Sequence, residues 1–91
     1  MRVCAHMILG PFSHHHMVAA TIGEAVQNFT DSLEGYYGDL SGILERTGEE
    51  YAPNLALYPA CDDCNSEMCF HDYPMTRYVV GPRGGINRIP A

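Results

Sequence analysis

The sequence predicts a small α+β domain in which two central helices pack against a short two-stranded sheet, with a cysteine-rich loop and an extended C-terminal arm. Three observations carry that expectation. A periodic row of apolar residues runs through the middle of the chain, short runs rich in branched and aromatic residues stand near either end, and three cysteines crowd between Cys61 and Cys69.

Arg2 to Leu9 reads as a buried strand. Side chains two apart in a strand point the same way, so Cys4 and His6 share a face. Gly10-Pro11 ends the run. His14-His15-His16 follows and is expected as a solvated turn, since neighbouring side chains cannot all converge on one ion.

Ile22, Val26, Phe29, Leu33, Tyr36, Leu40 and Ile43 recur at steps of four and three, which places them on one stripe of a helix. Three heptads broken by glycines make a poor coiled-coil seam, so the stripe is read as core. Thr21 followed by Glu24 fits a capping box, in which hydroxyl and carboxylate each satisfy a backbone N–H at the helix start. Gly35, Gly38 and Gly42 each cost about 1 kcal/mol relative to Ala inside a helix. A break is therefore expected near Tyr36 to Asp39, giving helices over 18–35 and 39–47, the second ended by Gly48 with Arg46 near its negative end.

Pro53 and Pro59 frame residues 49–60 as an extended connector. Thr76 to Val80 has the composition of a strand, ends at Gly81-Pro82 and is expected to pair with residues 2–9. Residues 83–91 lack the apolar content to pack on themselves and are read as a flexible or docking arm. Residues 1–82 then form a single domain with its metal-binding loop at 61–71.

A chain of 91 residues buries only about 60% of the surface its unfolded form exposes, so a staple is expected. Hydrophobic residues make up 46%, with six tyrosines, three phenylalanines and no tryptophan, which excludes a disordered tail. Prolines and the histidine run interrupt every apolar stretch well short of the ~20 residues that span a bilayer. The apolar start at Val3 to Leu9 is interrupted by His6 and is too short for an export signal. A cytoplasmic location follows, in a host cell if the chain is phage-encoded. There reduced thiols serve metals more often than disulfides.

Charge is unevenly placed. Residues 1–72 hold two arginines and all eleven carboxylates, residues 73–91 hold three arginines and no carboxylate, and lysine is absent. So negative a body repels a phosphate backbone, which argues against general nucleic-acid binding and for a protein partner with an electropositive surface.

Cys61-Asp-Asp-Cys64-Asn-Ser-Glu-Met-Cys69-Phe-His71 sets three thiols and an imidazole within one short loop. A C-x2-C turn aims both sulfurs at one point, and zinc takes four such ligands in a tetrahedron. Cys61, Cys64, Cys69 and His71 are the expected ligands, with Cys4 or His6 as alternative fourth ligand because a loop this short is strained when it encircles an ion alone. Buried reduced cysteines or one disulfide are the alternative without metal. Asp62, Asp63, Glu67 and Asp72 raise the pKa of nearby thiols, whereas a nucleophilic thiol needs its pKa lowered. A catalytic cysteine is disfavoured, and no H-E-x-x-H, phosphate loop or nucleophile motif is present, so no enzyme is expected.

Four cysteines including a C-x2-C, followed by Val79-Val80-Gly81-Pro82-Arg83-Gly84-Gly85 and a further arginine, is faintly similar to the WhiB-like iron–sulfur regulators. The chain departs from that pattern in having no tryptophan in the turn, a last spacing of four rather than five, and Cys4 far from Cys61. The resemblance implies a [4Fe–4S] cluster as the alternative cofactor and transcription regulation as an alternative role.

The leading expectation is a small acidic zinc-binding accessory protein that acts on a protein partner, in the manner of a phage or mobile-element inhibitor of a host machine. Tyr51, Tyr58, Tyr73, Arg77, Arg83 and Arg88 are its candidate partner-binding residues, being the residue types that anchor interfaces. A structural subunit of a larger particle such as a virion is the alternative from a different class.

Overall fold

A computed structural model describes residues 2–10, 13–48, 52–60, 64, 73–81 and 83–90. Its strands are β1 (Val3–Gly10), β2 (Ser13–Ala19), β3 (Asn54–Pro59), β4 (Thr76–Val80) and β5 (Ile86–Pro90), and its helices are α1 (Ile22–Tyr37) and α2 (Ile43–Thr47). The strands form one antiparallel sheet in the order β2-β1-β3-β4-β5. This corrects the expected architecture: five strands dominate, with one long and one short helix, in place of two central helices against two strands.

The correction has a physical origin in three segments. Leu55 and Leu57 alternate across β3, and the prolines that suggested a connector flank them, Pro53 before the strand and Pro59 at its end, where ladder bonds are least disturbed. β3 therefore lies between β1 and β4, and the expected pairing of Thr76–Val80 with residues 2–9 is not made. The histidine run is part of β2, the second arm of a hairpin in which Val3 pairs with Ala19 and His6 with His16. Residues 86–90, expected within an unpaired arm, form an edge strand on β4, which needs backbone partners on one side only.

Pleating gives the sheet two unlike faces. Val3, Ala5, Met7 and Leu9 of β1, Ala19 of β2, Leu55 and Leu57 of β3 and Val80 of β4 meet Ala25, Phe29 and Leu33 of α1 and Ile43 of α2 in the main core. Phe29, Leu33 and Ile43 of the expected stripe are fully buried there, with Val26 and Leu40 packed against them, and Ala25 joins the row that faces the sheet. Ile22 and Tyr36, on the expected stripe, are 36% and 58% exposed.

Thr21 caps α1, its Oγ1 accepting from the Glu24 backbone N–H at 3.1 Å, while the Glu24 carboxylate accepts from Ala20 N–H at 3.2 Å. The helix ends where the glycines suggested, with Gly38 at φ 78° donating to Glu34. Arg46 stands in the last turn of α2, as expected, but its guanidinium does not stay there. It reaches back to donate to the Tyr37 carbonyl at 3.3 Å and to the Asp39 carbonyl, satisfying acceptors at and just after the C-terminal end of α1. Tyr37 ties that end to the sheet by donating to the Leu9 carbonyl, and burial pushes its phenol pKa up, with Tyr36 adding to the rise. A Cβ at Gly10 would stand 3.0 Å from the Tyr37 hydroxyl, so a side chain there would press on that tyrosine. No helix among the described residues is long and apolar enough to cross a membrane.

Candidate metal centre

The face of the sheet turned away from the helices carries the chemistry. Cys4 and His6 alternate on β1, His14 and His16 alternate on β2, and antiparallel pairing sets His6 directly opposite His16. Cys4 sits diagonally to His16, between its own cross-strand neighbours Val18 and Tyr58. The hairpin thus delivers three donor side chains to one point from two strands.

The Cys4 Sγ lies 2.9 Å from His16 Nε2 and 3.5 Å from His6 Nε2. The ligand atoms of Cys4, His6 and His16 all fall within 4.8 Å of one another. These three side chains lie close enough to hold a metal ion. Around a tetrahedral zinc with bonds of about 2.3 Å to sulfur and about 2.0 Å to nitrogen, a sulfur and a nitrogen stand about 3.5 Å apart. His6 already meets that separation, and His16 meets it by withdrawing roughly 0.6 Å.

The site is sheltered on one side and open on the other. Cys4 is fully buried, and Cys64 at 1% exposure joins it in a small cluster with Val18, Tyr58 and Ala60. His6 and His16 are half-buried, with ring centroids 4.8 Å apart, and Tyr58 meets the His6 ring edge-on at 5.2 Å.

Of the loop residues expected to bind metal, Cys64 is thus placed beside Cys4, the alternative fourth ligand, although the strand pairing expected to bring them together is absent. Cys61, Cys69 and His71 lie outside the described residues, as does Tyr51. Tyr58 lines the site, whereas Tyr73 is 85% exposed. Arg77, Arg83 and Arg88 are exposed, with Arg77 paired to Ile89 on the open face and Arg88 to Tyr78 on the helix-bearing face. No family model, curated protein or solved structure matches this chain.

His16 is the ligand candidate that the sequence reading missed. The signal was present: C-x-H and H-x-H on either side of Gly10-Pro11 read as two strands of a hairpin with all four donors on one face. Treating the three histidines as a unit hid the alternation.

Proposed function

We propose that this chain is a small zinc-stapled accessory domain that works by binding a protein partner. Cys4, His6 and His16 supply three ligands, and the cysteine loop supplies the fourth through Cys64. The observation that carries this reading is the convergence of a thiol and two imidazoles from β1 and β2. One thiolate and two imidazoles form a donor set that suits zinc, while a [4Fe–4S] cluster draws on four thiolates. A fourth ligand from the loop closes the coordination sphere, as structural zinc sites require, and leaves no open position for catalysis.

The staple has a structural task. Ligands on β1 and β2 joined to a residue between β3 and β4 cross-link parts of the chain that meet on that face in the cluster of Cys4, Cys64, Val18, Tyr58 and Ala60. Zinc binding in small sites contributes about 10–16 kcal/mol, comparable to or above the whole net stability of a typical domain.

The partner-binding part of the proposal draws on charge. Glu24, Asp31, Glu34, Asp39 and Glu45 are all exposed along α1, α2 and their junction, and Arg46, the single arginine of that segment, is turned back on the backbone. An electropositive protein surface suits that layer.

Native mass spectrometry of metal-stripped protein titrated with zinc tests the reading. One zinc ion per chain and a large rise in thermal midpoint are expected, with both diminished by Cys4→Ser. A chain that takes up no zinc, or whose melting is unchanged by it, defeats the staple.

A further inference from the structure

The ligand set leaves one histidine of the open face unassigned. His14 belongs to the same alternating row as His16, two residues earlier in β2 and opposite Ile8, so it stands diagonally to His6 across the hairpin. Its Nε2 lies 3.3 Å from His6 Nδ1, and the two ring centroids are 5.5 Å apart. His6 is consequently addressed through both nitrogens: Nε2 faces the Cys4 sulfur at 3.5 Å and Nδ1 faces His14.

On the reading of Cys4, His6 and His16 as zinc ligands, we propose that His14 is a positioning residue for the site, accepting the Nδ1–H of His6 and thereby holding Nε2 deprotonated and aimed at the metal. A neutral imidazole carries one N–H, and the nitrogen that keeps it cannot ligate. Left to itself His6 divides between two tautomers and rotates about its side-chain bonds. An acceptor at Nδ1 selects the tautomer whose Nε2 lone pair points at the ion and fixes the ring plane, which the Tyr58 edge already restrains from the β3 side. The usual acceptor in such pairs is a carboxylate or carbonyl; here the Nε2 of an exposed imidazole, 3.3 Å away, fills that place.

The third histidine of β2 provides an internal control. His15 points to the opposite side of β2, where its Nε2 lies 3.0 Å from the Ser13 hydroxyl, and it makes no approach to the ligand set.

Zinc affinity is measured on the full chain by competition with a chromophoric chelator, for wild type, His14→Ala, His14→Gln and His15→Ala. The protonated nitrogen of His6 is read by long-range proton–nitrogen correlation on the zinc-loaded protein. Loss of an outer hydrogen-bond partner weakens metal binding by about ten- to a hundredfold, and His14→Ala is expected to fall in that range. His14→Gln, whose amide oxygen also accepts, restores most of the loss, and His15→Ala changes nothing. His6 in the wild type carries its proton on Nδ1. Unchanged affinity in His14→Ala overturns the proposal, as does a loss that Gln fails to restore. Binding of two zinc ions, one of them lost in His14→Ala, also overturns it by making His14 a ligand of a second ion. A wild type that binds no zinc is a separate failure, that of the ligand reading on which this one rests.

Discussion

Asp39, between the two helices, accepts two hydrogen bonds on one carboxylate oxygen, from the Ser41 backbone N–H at 3.0 Å and the Ser41 hydroxyl at 2.8 Å. The backbone bond first and the hydroxyl second hold its carboxyl below the usual range, against a small opposing effect of burial, and Arg46 adds to the lowering. A carboxylate whose folded pKa is depressed contributes stability that is fully present above the unfolded value, about 3.9, and is lost as the pH falls through the folded value. Asp39 is fully exposed, so water screens the effect and the contribution is small. The urea midpoints of wild type and Asp39→Ala are therefore expected to differ slightly at neutral pH and to draw together in acid. A gap that stays constant from pH 7 into the acid range contradicts the assignment. Local sequence conveys the end of α1, where Gly38 stands as the cap because capping depends on neighbours alone, but not the start of α2, which lies at Ile43 rather than at residue 39.

Among the elements, the turn between β4 and β5 shows how the sheet and helices lock together. Gly84 has φ +85°, and a Cβ there would stand 2.9 Å from the Leu40 carbonyl carbon and 3.0 Å from the Ser41 nitrogen. The turn thus presses against the α1–α2 junction by backbone alone. Gly84→Ala is expected to cost about 1–3 kcal/mol in chemical denaturation, since it combines a disfavoured backbone region with a collision that no side chain can relieve. Gly85→Ala, with open space around it, is the comparison, and equal effects at the two positions would refute the proposed contact. Little of this was legible. The apolar row through Phe29, Leu33 and Ile43 announced a helical core, but Leu55-Ala-Leu57 between prolines and Ile86 to Pro90 after two glycines look like connectors until a neighbouring strand is supplied. β3 is held between β4 and a strand more than forty residues before it, β1, and β5 exists only as an addition to β4. Pairings of that kind leave no local trace.

Across the whole molecule, the sheet separates two kinds of cohesion. One face is closed by α1 and α2 over an apolar core; on the other, a thiol and two imidazoles gather at the hairpin end, next to Cys64 from the segment between β3 and β4. Half of this centre was visible in the sequence. The cysteine loop drew attention to metal, and Cys4 and His6 were placed on one face by strand periodicity. His16 was not found, because its role depends on the register of β1 against β2, which sets it across from His6. The donor set is the central claim, and zinc K-edge X-ray absorption on the loaded protein tests it most directly. The account predicts a mixed first shell of two nitrogens at about 2.0–2.1 Å and two sulfurs at about 2.3 Å. A shell of sulfur alone, or one in which the nitrogen contribution survives His16→Ala unchanged, would contradict it.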